Sequence, residues 1–125
     1  LLHGDCEDKA NLLLSLMLAY ESKYARFVIF WESDESAHAA VAFPVTGGKL
    51  TILDPAGRYF TSTEYGGLTA RPVQEAVQDW LTYWSKESPS KTTDIRVSRA
   101  YTNYYNKEFS STQEFVNWVN QNWPP

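Results

Sequence analysis

The chain has one cysteine and two histidines in 125 residues. A single thiol excludes an intramolecular disulfide framework, and one cysteine with two histidines is too few for a structural zinc site. Cys6 is therefore read as a free thiol. Apolar runs are short: Leu12-Leu13-Leu14 stops at Ser15, and nothing approaches the ~18 consecutive apolar residues of a bilayer-crossing helix. No membrane span is expected. Positive charge is scarce as well, with 11 Lys and Arg against 15 Asp and Glu and a net charge of −4. Without a basic stripe nothing drives binding to a phosphate backbone, so no nucleic-acid partner is expected. The acidic excess is confined to residues 1–54, with eight acids and four bases; residues 55–125 hold seven of each. Six Gly and six Pro are too few for collagen-like or linker-like sequence.

Hydrophobic residues make up 43% of the chain and aromatics 15%, with charged residues at 21%. Such a composition buries a core without staples, and at this length it predicts a single domain over residues 1–125. The chain opens Leu-Leu-His-Gly without Met, which predicts that upstream residues are missing from it. Any targeting signal would have belonged to that part, and localisation is not legible.

Residues 6–20 carry Ala10, Leu13, Leu14, Met17 and Leu18 at helical spacing, and Leu12 and Leu16 widen the apolar face. Asp5 caps this predicted helix and Asp8 completes a capping box, leaving Cys6 in the first turn. Tyr24–Trp31 is aromatic and β-branched, which predicts a central strand covered on both faces. After the acidic loop Glu32–Ser36, Ala37–Val45 and Lys49–Asp54 form a hairpin around Gly47-Gly48. Residues 58–71 show no period and read as loop. From Pro72 a helix buries Val73, Ala76, Val77, Trp80, Leu81 and Trp84, and Ser88-Pro89-Ser90 ends it. Asp94–Tyr101 alternates as a further strand, with Ile95, Val97, Arg99 and Tyr101 on one face. Ser111 and Glu114 form a second capping box before a helix carrying Phe115, Val116 and Val119.

Three residue types needed for thiol chemistry occur in order: Cys6 at a helix start, His38 in a strand, and Asp54 ending the next strand. A thiol attacks as thiolate; a helix N-terminus favours that anion, and an adjacent imidazole takes its proton. A carboxylate then fixes the imidazole tautomer. If His38 and Asp54 face each other directly in an antiparallel pair, paired residue numbers sum to 92, and the connecting loop has an odd number of residues. A two-residue turn at Gly47-Gly48 gives a sum of 95 and sends the two side chains to opposite faces unless a bulge intervenes.

Gly4-Asp5-Cys6-Glu7-Asp8-Lys9-Ala10 before a Leu-rich helix, then His38-Ala-Ala-Val, then Leu53-Asp54-Pro55, resembles the transglutaminase-like superfamily of papain-like thiol enzymes over residues 4–60. The resemblance implies an α+β, papain/transglutaminase-like fold, its Cys-bearing helix packed on an antiparallel sheet with further helices outside. It implies Cys6 as nucleophile, His38 as base and then acid, and Asp54 as the orienting carboxylate of an amide hydrolase or acyltransferase working through a thioester. The spelling around Cys6 is closest to bacterial and archaeal transglutaminase-like cysteine proteinases, so a cysteine protease acting on a protein or peptide comes first. No cofactor is required by this chemistry. In some of those proteinases acids flanking the Cys bind calcium, which gives Asp5, Glu7 and Asp8 a second reading beside helix capping. Two features depart from the family: Ala40 stands where an aromatic often follows the His, and the upstream oxyanion donor is absent from this chain.

Taken singly, each residue has a plainer role. Cys6 reads as a small core side chain, His38 as a hydrogen-bonded strand histidine, and Asp54 before Pro55 as a turn former. The five tryptophans, four of them after residue 79, read as core first and as a stacking platform second. The rival function is a non-catalytic peptide- or glycan-binding module on the same scaffold.

Overall fold

The computed structural model of the chain describes residues 9–13, 27–33, 37–45, 47–87, 95–102 and 106–123. They form a sheet of seven strands: β1 (Phe27–Glu32), β2 (Ala37–Val45), β3 (Lys49–Asp54), β4 (Tyr59–Phe60), β5 (Arg71–Pro72), β6 (Arg96–Tyr101) and β7 (Asn106–Glu108). The order is β4-β3-β2-β1-β6-β7, with β5 also against β3, and every pair is antiparallel. Helical residues 9–13 (α1), α2 (Val73–Glu87) and α3 (Thr112–Asn122) complete the described elements. This is the expected α+β class with an antiparallel sheet.

β1 lies inside the sheet with Phe27, Val28, Ile29 and Trp31 buried, as its unbroken apolar run predicts. One face packs Phe27, Ile29, Trp31, Ala40, Ala42, Leu50 and Ile52 against Val73, Ala76, Val77, Trp80 and Leu81 of α2 and Phe115, Val116 and Val119 of α3. The other packs Val28, Ala39 and Val41 against Ala10, with Leu13, Phe30, Ala56 and Tyr101 around them. Tyr101 also donates its hydroxyl to Asn11 Oδ1 at 3.1 Å, a polar tie between β6 and α1.

The hairpin register differs from the direct pairing considered above. Val45 pairs with Lys49 and Val41 with Leu53, so paired numbers sum to 94. Three residues connect the strands, and Gly47 (φ 93°) and Gly48 (φ 71°) take the left-handed conformations that such a loop needs. The loop is odd, and the two-residue turn is absent. An even sum keeps His38 and Asp54 on one face, but offset by one pleat repeat instead of directly opposite.

Residues 58–71 are more ordered than their aperiodic sequence suggests. Besides β4 and β5, a bridge joins Ser62 to Leu68, and Thr63 N and Thr69 N donate to the carbonyls of Gly67 and Thr61. The order comes from backbone hydrogen bonds and Gly66 (φ 85°), which leave no hydrophobic period to read. β7 was likewise not signalled: its three residues, Asn-Lys-Glu, are all exposed. β6 also breaks the expected alternation. Phe30 pairs with Arg99 but Trp31 with Val97, a bulge that puts Val97 and Ala100 on the same core face while Tyr101 packs on the other.

α2 follows the predicted period, with Glu75 in its first turn and Lys86 in its last, both matched to the helix dipole. Pro72 sits in β5, one residue ahead of the helix. α3 is capped by Ser111, whose side chain accepts from Glu114 N at 3.2 Å. Glu114 turns its carboxylate to the Ser110 hydroxyl, so only half of the expected capping box forms.

Candidate active site

β2 and β3 bring His38 and Asp54 together. His38 Nε2 lies 2.8 Å from both Asp54 Oδ1 and Oδ2, and the residues are 6% and 1% exposed. The sequence-predicted pair is therefore in contact within the core. Cys6, together with Asp5, Glu7 and Asp8, lies outside the described residues, and so does most of the predicted 6–20 helix. Among the described residues no group of three or more His, Cys, Asp and Glu is arranged to hold a metal ion.

Burying a carboxylate is costly unless donors surround it. Asp54 has four. Oδ1 accepts from His38 Nε2 and from Gly57 N at 2.9 Å; Oδ2 accepts from His38 and from the indole N–H groups of Trp80 and Trp84, each at 2.9 Å. Burial pushes the Asp54 carboxyl up, but the His38 hydrogen bond and charge, with the Trp80 and Trp84 donors, outweigh it and hold Asp54 below its ordinary value of 3.8. The carboxylate is thus the ionised partner, accepting in every contact.

Trp80 and Trp84 stand four apart on α2, so both project from one face onto the end of β3. The same stretch ties down the turn that follows Asp54. Tyr83 donates its hydroxyl to the Gly57 carbonyl at 2.6 Å, and Tyr59, paired with Asp54 across β3 and β4, donates to Asp79. Burial, then the Asp79 carboxylate, raises the Tyr59 hydroxyl above its ordinary value, so it remains a donor. Gly57 cannot be replaced without movement: a Cβ there would lie 2.5 Å from Trp84 and 2.8 Å from Asp54 Oδ2. The next residue, Arg58, has φ 54°, a left-handed conformation uncommon outside glycine.

Aromatic rings enclose the imidazole. Trp84 lies 4.1 Å from it between ring centroids, Trp31 5.9 Å and Trp80 6.4 Å. Trp31 is opposite His38 in the β1–β2 register, and its indole Nε1 is the one buried side-chain polar atom without a hydrogen-bond partner among the described residues. These roles were not legible from the aromatic count alone. The available signal was chemical: an indole buried at Trp80 needs an acceptor, and Asp54 is the buried carboxylate at hand.

Two depressions among the described residues, about 460 Å³ between α2 and α3 and about 510 Å³ beside Arg71, include neither His38 nor Asp54 in their walls. Comparison of the chain with protein-family models, with curated proteins and with solved structures finds no match.

Proposed function

We propose that this protein is a thiol-dependent amide hydrolase or acyltransferase on a papain/transglutaminase-like scaffold, with cysteine protease as the leading activity. Cys6 is the nucleophile, His38 the proton carrier and Asp54 the orienting carboxylate. One observation carries the reading: a buried His38–Asp54 contact at 2.8 Å in which the carboxylate engages Nε2. Nδ1 is then the ring nitrogen that exchanges a proton with the thiol. A strand histidine needing only a hydrogen bond does not require a buried carboxylate held by three other donors.

In this mechanism His38 takes the Cys6 proton and the thiolate attacks the amide carbonyl carbon. As the C–N bond breaks, His38 returns the proton to the leaving amine, and a thioester remains. Water then attacks, giving up a proton to His38; the C–S bond breaks and the thiol is restored. A lysine amine in place of water gives the transglutaminase outcome. Ala10, four residues after Cys6 in the sequence, packs on the sheet face opposite His38. His38 is the second residue of β2, and Ala56 of the Ala10 cluster lies just beyond β3.

The rival reading, a non-catalytic peptide- or glycan-binding module, draws on Tyr65, 91% exposed, with Leu68 and Phe60 nearby in sequence. It gives no reason for the buried dyad. Iodoacetamide separates the two: a Cys6 poised by His38 alkylates near pH 6 far faster than a free thiol, whereas a buried structural thiol reacts more slowly. Cys6→Ala abolishes amide turnover in the catalytic reading, and unchanged turnover in a folded Cys6→Ala protein would falsify it.

A further inference from the structure

Asp54 is held more firmly than an orienting carboxylate needs for its own burial. The carboxylate torsion of an aspartate is broad, so a single contact with His38 would leave it free to turn. Here rotation breaks the Gly57 N–H bond on Oδ1 and both indole bonds on Oδ2 at once. We infer that Trp84 and Trp80 are positioning residues of the site: their N–H groups lock Asp54 so that neutral His38 carries its proton on Nε2 and offers Nδ1 to its reaction partner.

Satisfying indoles is an insufficient reason for the arrangement, because Trp31 is buried in the same aromatic cage with no acceptor among the described residues. The two tryptophans that do donate converge on one oxygen, from one helix face, at equal 2.9 Å distances. Trp84 acts twice, since its ring also lies against the imidazole at 4.1 Å and limits water around the His38–Asp54 bond. Low local polarity strengthens that bond and makes its alignment matter more. At metal sites, where a carboxylate orients a ligating histidine and is itself hydrogen-bonded, loss of such outer partners costs roughly tenfold to a hundredfold in affinity or activity, and the same orienting logic applies to Asp54. The inference deepens the thiol-enzyme reading, but the locking of Asp54 is measurable without any activity.

The test compares wild-type protein with Trp84→Phe, and with protein in which the Trp84 indole is replaced by the isosteric benzothiophene, which keeps the ring and removes the N–H. Nitrogen chemical shifts report the His38 tautomer, with His3 the one other histidine in the chain. Neutral His38 should be Nε2-protonated in the wild type and a mixture of tautomers in both variants. Cys6 alkylation near pH 6 should slow about tenfold, and Trp84→Phe should add nothing in an Asp54→Asn background, because residues acting through one partner are non-additive. An unchanged tautomer in the folded benzothiophene protein, or the same slowing in both backgrounds, overturns the inference. Wild-type Cys6 that alkylates no faster than a free thiol defeats the thiol-enzyme reading instead, and the tautomer still decides the role of Trp84.

Discussion

The sheet face under α2 and α3 carries Trp31, His38, Ile52 and Asp54, whereas the face against α1 carries Val28, Ala39 and Val41. On the α1 side the buried core is the small aliphatic set Ala10, Val28, Ala39 and Val41, with Phe30 and Tyr101 around it and one polar tie, Tyr101 to Asn11. On the other side large aromatic rings surround one carboxylate, and the contacts are directional hydrogen bonds between named atoms. Apolar packing tolerates volume-conserving change, while a buried carboxylate tolerates the loss of neither its donors nor its charge. The candidate chemistry therefore sits on the face that a long helix can supply with donors.

On that contrast the largest effect belongs to Asp54→Ala, which strands the His38 and indole N–H groups in the core. A loss of about 3–5 kcal/mol is expected by urea unfolding, comparable with breaking a buried pair. Its pH dependence sharpens the point. Asp54 is held below its ordinary value of 3.8, so its contribution is complete above that pH and fades as pH falls through the lower folded-state value. The stability gap between wild type and Asp54→Asn should be flat near neutrality and close in acid. A gap that widens on acidification contradicts the assignment of Asp54 as the ionised partner.

Gly57→Ala comes next, at about 1–3 kcal/mol of overpacking, because its Cβ meets Trp84 and Asp54 within 2.8 Å. The substitution should also disturb Trp fluorescence, since it pushes on an indole. On the plain aliphatic face, Val41→Ala should cost roughly 1.5 kcal/mol, two methylenes at ~0.8 each, and leave the His38 tautomer as it was. A tautomer change there would erase the distinction between the faces. The smallest effect is at the rim: Ser111→Ala removes the α3 cap for about 1 kcal/mol, read as a shift in melting temperature with no change in Cys6 reactivity.

Much of this architecture was legible in sequence. The uninterrupted apolar run of β1 marked a central strand, and the spacing of Val73, Ala76, Val77, Trp80 and Leu81 marked α2 and its buried face. His38 and Asp54 were recognisable from their order after Cys6 on successive strands, but the odd loop that keeps them on one face was a condition that only the register settled. Other features left no local trace. The 58–71 segment is ordered by backbone hydrogen bonds and positive-φ glycine, and the β6 bulge shifts a register whose residues alternate normally in sequence. The acids around Cys6, and Cys6 itself, fall outside the described residues, so the calcium and nucleophile assignments stand as the sequence motivates them.

By itself the sequence determined the main element types and the buried faces of β1 and α2, because these follow from periods of two and 3.6 along one chain, whereas the shared face of His38 and Asp54 was decided by the observed three-residue loop. Only the tertiary structure decided that Asp54 is met by Trp80 and Trp84, residues 26 and 30 positions away. Periodicity identifies which side of an element is buried but not which atoms it meets there; that depends on how α2 docks over the end of β3, where an unsatisfied carboxylate and two unsatisfied indoles each lower their cost by finding the other.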